Sequence, residues 1–158
     1  MFRNLTRARQ ALSPAECVAL LKSEKRGVLS VLGEGGYPYG VPLNHYYNED
    51  DGRIYFHSGG FGHKLDALRA CDKASFLLMD QGQRDPGDWA LRFRSVIVFG
   101  RVEFIEDREK VYEITARLSR KFTADEAYIA EEIRKSGPAT CMFALIPEQI
   151  TGKRVHEA

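Results

Sequence analysis

The stretch Tyr55–Leu68, YFHSGGFGHKLDAL, gathers an imidazole, a hydroxyl, three glycines and a His-Lys pair around one turn. His57 and Ser58 end a strand-like run, and His63 and Lys64 open a predicted helix. A helix N-terminus leaves backbone N–H groups unpaired and carries partial positive charge. Glycines at 59, 60 and 62 let the backbone approach a ligand closely. Cations at that end oppose the helix dipole on their own, and a bound anion reverses the sign of the argument. The chemistry on offer is phosphate binding. The motif is not a P-loop, which needs Gly directly before Lys and Ser or Thr after it; here the neighbours are His63 and Leu65. A glycine-rich turn with a solvated lysine is the other reading the stretch alone leaves open.

Two further segments carry polar groups in useful places. GVPLNHYY puts Pro42, which has no N–H, beside Val41, Leu43 and Asn44. An edge strand of this kind exposes peptide groups that can read the rim of a flat heterocycle, and Asn44 adds an amide donor and acceptor. FRSV puts Arg94 and Ser95 just after a polar loop. For both segments the plain alternative is a solvated strand edge or end. The four histidines, His45, His57, His63 and His156, form no HExxH and no close set with cysteine, so no metal site is expected.

These groups need elements to hold them. Ser13, Pro14 and Glu16 form a capping-box signature, which predicts a helix from Pro14 to about Glu24. Val28–Leu32, Pro38–Tyr47 and RIYFHS read as three strands joined by GEGG and NEDDG turns, an antiparallel meander. A short helix is predicted over His63–Ala70, followed by a fourth strand, KASFLLMD. A long fifth strand has Val96, Val98, Val102 and Phe104 on one face. Gly100 interrupts that face, as expected where a barrel strand bends. Val111, Ile114, Leu118 and Phe122 recur at helical spacing. A second helix ends at Gly137, and ATCMFALIPEQITGKR is the last strand. Six mainly antiparallel strands close most readily into a small barrel with peripheral helices. The expectation is therefore one mainly β domain over residues 1–158, with 1–12 as a flexible arm.

Composition bounds the partners. A chain of 158 residues with formal charge +1 marks no whole-surface nucleic-acid or membrane binder. No membrane span and no secretory signal is expected. Cys17, Cys71 and Cys141 are odd in number and far apart, which reads as a reduced, cytoplasmic setting.

Taken together, GVPLNHYY, GRIYFHSGGFGHKLDALR, FRSVIVFGRVEFIED and the terminal ITGKR resemble the pyridoxamine 5'-phosphate oxidase-like, FMN-binding split-barrel superfamily. The closer resemblance is to its nitroimidazole-resistance branch. It spans about Pro14 to Arg154. It implies a six-stranded split barrel, a homodimer and FMN at the subunit interface. It also implies that Val41, Pro42, Leu43 and Asn44 lie along the flavin ring. His57 and Ser58 run by the ribityl chain and phosphate, His63 and Lys64 bind the phosphate, and Arg94 and Ser95 lie near the flavin. The vitamin-processing oxidases carry an arginine-lysine pair where this chain has His63-Lys64, and a C-terminal tryptophan that this chain lacks. Pyridoxamine-phosphate oxidation is therefore not carried over. The implied activity is reduction of a small nitroaromatic or quinone, with NADH or NADPH as donor. His45, Tyr46, His57 and Trp89 are the candidates near the acceptor. Non-catalytic flavin or haem binding, and use of a deazaflavin, are the alternatives.

Overall fold

The structure, a computed structural model, describes residues 1–157. Helix α1 spans Pro14–Ser23. Ser13 Oγ accepts the Glu16 N–H at 3.3 Å, and Glu16 Oε2 accepts the Ser13 N–H at 2.8 Å, so the expected capping box is formed. The chain continues through β1 (Arg26–Leu32), β2 (Pro38–Asn44), β3 (Tyr46–Asn48), β4 (Arg53–Ser58), α2 (His63–Ala70) and β5 (Lys73–Met79). The remaining elements are β6 (Arg92–Ile105), α3 (Arg108–Ser119), α4 (Glu126–Ser136) and β7 (Cys141–His156).

The segment expected as one strand from Pro38 to Tyr47 is two, so the sheet has seven strands where six were expected. The reason is topological. All pairings are antiparallel, and the order β2-β1-β5-β6-β7-β4-β3 puts β2 at one edge and β3 at the other. Only His45 separates β2 from β3 along the chain. The two edges must therefore meet at that residue, and the sheet curls into the expected split barrel. One extended segment serves both edges, and its change of partner breaks the ladder at His45.

Alternation fills the barrel. Leu29 and Val31, Ala74, Phe76 and Leu78, Val96, Val98 and Val102, Phe143 and Leu145, and Ile54 and Phe56 all face the main core. Leu20 and Leu21 of α1 and Leu65 and Leu68 of α2 close its ends. Each buried Val, Leu, Ile or Phe among them contributes about 1.5–3 kcal/mol by leaving water. On the other side of β4 and β7, Tyr55, Met142 and Ala144 pack under Val111 and Ile114 of α3. Gly100 marks the bend: the β6–β7 register shifts between Phe99 and Gly100. A Cβ there would lie 2.2 Å from the Ile146 carbonyl oxygen.

The outer face of β1, β5 and β6 carries no helix-facing core. The register aligns Pro42, Val28, Leu77 and Ile97 in one row across four strands. Val28, Leu77, Ile97 and Phe99 are each about two-fifths exposed, and Met79 and Leu32 about half. Phe2 stacks on Phe99 with ring centroids 5.6 Å apart. Ala11 bridges to Lys153, and Leu12 is buried in the core. Among the described residues no helix is long and apolar enough to cross a membrane.

Candidate functional site

The glycine-rich turn links the end of β4 to α2, where the sequence placed it. Gly62 is the N-cap of α2, with φ of 127° and no side-chain cap. That conformation favours glycine, and it leaves the first-turn N–H groups of the helix without a side-chain acceptor. A Cβ on Gly59 or Gly62 would meet nothing within 4 Å, and one on Gly60 only the Ala139 carbonyl at 4.0 Å. The glycines therefore do not relieve packing; they leave the space in front of the helix open.

Lys64 stands at this opening, half-buried. It makes no hydrogen bond or ion pair among the described residues. Burial pushes its pKa below the ordinary lysine value, and the neighbouring Cys141 only partly opposes this. Burial, reinforced by Lys64, also lowers the pKa of His57. Two desolvated nitrogen bases without a counter-charge, beside uncapped N–H groups, make a site that an anion would stabilise. Ser58 Oγ donates to the Gly59 carbonyl at 2.7 Å, which fixes the turn.

His63 is more committed than the sequence suggested. Its ring stacks on Tyr39 with centroids 4.3 Å apart, and its Nε2 accepts the Glu34 N–H at 3.4 Å. In this geometry Nε2 is an acceptor and Nδ1 is the nitrogen left to donate. His63 thereby ties the start of α2 to the turn between β1 and β2. Sequence reasoning did not single out Tyr39; its signal was the alternation of β2, which puts it on the core side beside α2.

Strand β2 pairs only with β1, so it is the edge strand that Pro42 predicted. Val41 and Leu43 pack on the core, Pro42 faces outward opposite Val28, and Asn44 Oδ1 accepts Arg26 Nε at 3.1 Å. The start of β2 lies at the α2 end of the barrel through the Tyr39–His63 stack, so Val41–Asn44 run away from Lys64. His57, Ser58, His63 and Lys64 are thus gathered at one end of the barrel, with β2 leading from it.

Arg94 and Ser95 are not part of that group within one chain. Ser58 pairs with Cys141 at the start of β7, whereas Arg94 pairs with Arg154 near its far end. Arg94 Nε donates to Asp80 Oδ2 at 2.8 Å, and its N–H to Asp80 Oδ1 at 2.9 Å. Burial alone would raise the Asp80 pKa; the bonds from Arg94 outweigh it and hold the carboxyl below its ordinary value. Arg94 lines a cavity of about 920 Å³ at this barrel mouth, with Arg9, Arg92, Arg154 and His156. Ser95 lies between Met79 and Lys153 in register.

His45, expected near an acceptor, is fully buried. Its Nε2 lies 2.7 Å from the Leu21 carbonyl and its ring packs edge-on against Phe76. It cannot touch a ligand, because the strand break turns it inward. Tyr46 is half-buried with its hydroxyl 3.5 Å from Arg117, and Trp89 is exposed on the loop before β6. No group of three metal-ligating side chains occurs among the described residues.

The family model described as pyridoxamine 5'-phosphate oxidase matches residues 13–154. No curated protein matches the chain. Among solved structures, the chain is similar to a candidate 5-nitroimidazole antibiotic resistance protein from Bacteroides thetaiotaomicron. The identity is 21%, covering 92% of this chain and 87% of that one, with a TM-score of 0.76. It is also similar to a FAD-binding protein from Mesorhizobium loti, at 24% identity, 92% and 97% coverage and a TM-score of 0.66. A FAD and haem binding protein from Mycobacterium smegmatis is similar at 22% identity, 91% and 72% coverage and a TM-score of 0.71. At these identities the likeness is one of fold.

Proposed function

The chain belongs to the pyridoxamine 5'-phosphate oxidase family, and from that premise we propose that it is an FMN-dependent oxidoreductase acting as a homodimer. The observation that carries the reading is Lys64: a half-buried ammonium, unpaired among the described residues, at the uncapped N-terminus of α2. The phosphate of FMN has the charge and the acceptor oxygens that this end lacks. Lys64, His63 Nδ1 and the first N–H groups of α2 hold that phosphate, with Ser58 and His57 beside the chain that leads from it. The peptide groups of Val41–Asn44, on the open edge that Pro42 leaves, lie along the ring, and the Asn44 amide nitrogen remains free to donate. Bound FMN supplies two-electron chemistry, from NADH or NADPH to a small nitroaromatic or quinone. No side chain here has to act as a general base.

The exposed outer sheet supports the homodimer. A continuous row of apolar side chains, Val28, Leu77 and Ile97, is left in water by one chain, and a second copy would cover it. Such a pairing also accounts for Arg94 and Ser95: they reach a flavin from the second copy, since they lie far from Lys64 in their own chain. Three free cysteines suit a reduced, cytoplasmic setting.

The test is the absorbance spectrum and ligand mass of the purified protein, followed by anaerobic addition of NADH or NADPH. Flavin bands, the mass of FMN and bleaching by a nicotinamide support the reading. A Soret band would replace it with haem binding, and a deazaflavin mass with that cofactor. Flavin that stays oxidised with both donors would leave a carrier rather than a reductase.

A further inference from the structure

We propose that Lys121 is a positioning residue for the flavin-facing strand β2, acting through the carbonyl groups of Glu24 and His45. This rests on the reading of Val41–Asn44 as the strand along the ring. Lys121 lies just beyond α3, where its N–H donates to the Leu118 carbonyl at 3.1 Å. Its Nζ crosses to the other side of the joint and donates to the Glu24 carbonyl at 2.6 Å and the His45 carbonyl at 2.9 Å. Glu24 is the C-cap of α1, where unpaired carbonyls and the helix dipole favour a cation. His45 is the one residue between β2 and β3.

The joint is thus held from two sides. The link from α1 to β1 takes the His45 N–H at the Lys25 carbonyl, 3.4 Å away, and α1 itself takes the His45 ring at the Leu21 carbonyl. Lys121 takes the carbonyl. Without Lys121 the peptide after His45 loses its charged donor and can rotate. Asn44 precedes that joint and pairs with Arg26 at the end of the β1–β2 ladder. Rotation at the joint is therefore transmitted directly to the residues that read the ring. A surface lysine with no such bonds would be replaceable at little cost.

Lys121→Met keeps the aliphatic stem and removes the donors; Lys121→Gln keeps an amide donor on a shorter stem; Lys121→Arg keeps the charge and several donors. For each, FMN titration, the visible circular dichroism of bound FMN and the melting temperature of the apo-protein are measured. The expected result is about tenfold weaker FMN binding for Lys121→Met, the scale of a lost charged hydrogen bond. An altered visible dichroism accompanies it, and both are restored by Lys121→Arg. If Lys121→Met does not fold, Lys121→Gln removes the charge and falls short of both carbonyls, and weaker FMN binding with altered dichroism is expected of it too. A lower melting temperature with unchanged FMN affinity and dichroism would overturn the proposal and leave Lys121 as a brace only. Wild-type protein that takes up no FMN would overturn the flavin reading itself, and this inference with it.

Discussion

His45 Nε2 lies 2.7 Å from the carbonyl oxygen of Leu21, so the ring donates from that nitrogen while its buried Nδ1 has no partner among the described residues. Protonating Nδ1 would place an unmatched N–H and a charge in the core. Burial, with the Lys121 ammonium adding to it, lowers the His45 pKa from 6.5 to about 4. In the unfolded chain the ring takes its proton at the ordinary value. Between those two pH values the unfolded state binds more protons, so stability falls as pH falls from 6.5 towards 4, and above 6.5 the contribution is fully present. The span is about 3 kcal/mol. The melting temperature of the wild type relative to His45→Asn should therefore shrink on acidification across that window. A difference that stays constant from pH 7 to 4.5 would mean that the ring titrates normally.

Lys64→Ala separates binding from stability. Its ammonium is partly desolvated without a counter-charge, so removing it should leave the apo-protein as stable as before, or slightly more so. FMN affinity should fall by roughly 1–3 kcal/mol, the scale of a charge-assisted hydrogen bond. Ser95→Ala should reduce affinity less. Calorimetry with FMN and a thermal melt of the apo-protein read the two effects independently. Retention of FMN by Lys64→Ala through dialysis, at wild-type strength, would remove the phosphate from this end of the barrel.

Much of this arrangement was legible from residue order because it is local. The capping box of α1, the strand RIYFHS and the helix His63–Ala70 depend on neighbours in sequence, and all occur where expected. What escaped depends on distant partners. The break at His45 follows from barrel closure, which swaps β1 for β4 as the partner of one extended segment; no local residue type marks it. The partial burial of Lys64 and the commitment of His63 to Tyr39 and Glu34 likewise depend on how two turns meet. Arg94 stands in the strand start RFRS, and only the register with β7 shows that it lies at the opposite mouth from Lys64.

Gly100 sits at the bend of β6. It lies at the register shift of β6, and a Cβ would approach the Ile146 backbone oxygen to 2.2 Å. Backbone cannot yield as a flexible side chain can. Gly100→Ala should destabilise the fold by about 1–3 kcal/mol through overpacking. The urea midpoint should drop with little change in slope. An unchanged midpoint would show that the β6–β7 bulge can open to admit a methyl group.

Ile97→Lys tests the outer face. Ile97 lies in register between Leu77 and Thr151 and is about two-fifths exposed, so a lysine there meets solvent and adds no strain within one chain. In a dimer built on this face, the same lysine would be desolvated against apolar side chains. Its penalty on association should be about 2 kcal/mol or more, the scale of a central interface residue. Sedimentation at micromolar concentration should show a dimer for the wild type and a shift to monomer for Ile97→Lys, with an unchanged melt at low concentration. FMN affinity should fall with it, because Arg94 and Ser95 of the second copy are withdrawn. A variant that stays dimeric would move the interface elsewhere. A monomeric variant that binds FMN at full strength would confine the flavin to β2 and α2 of a single chain.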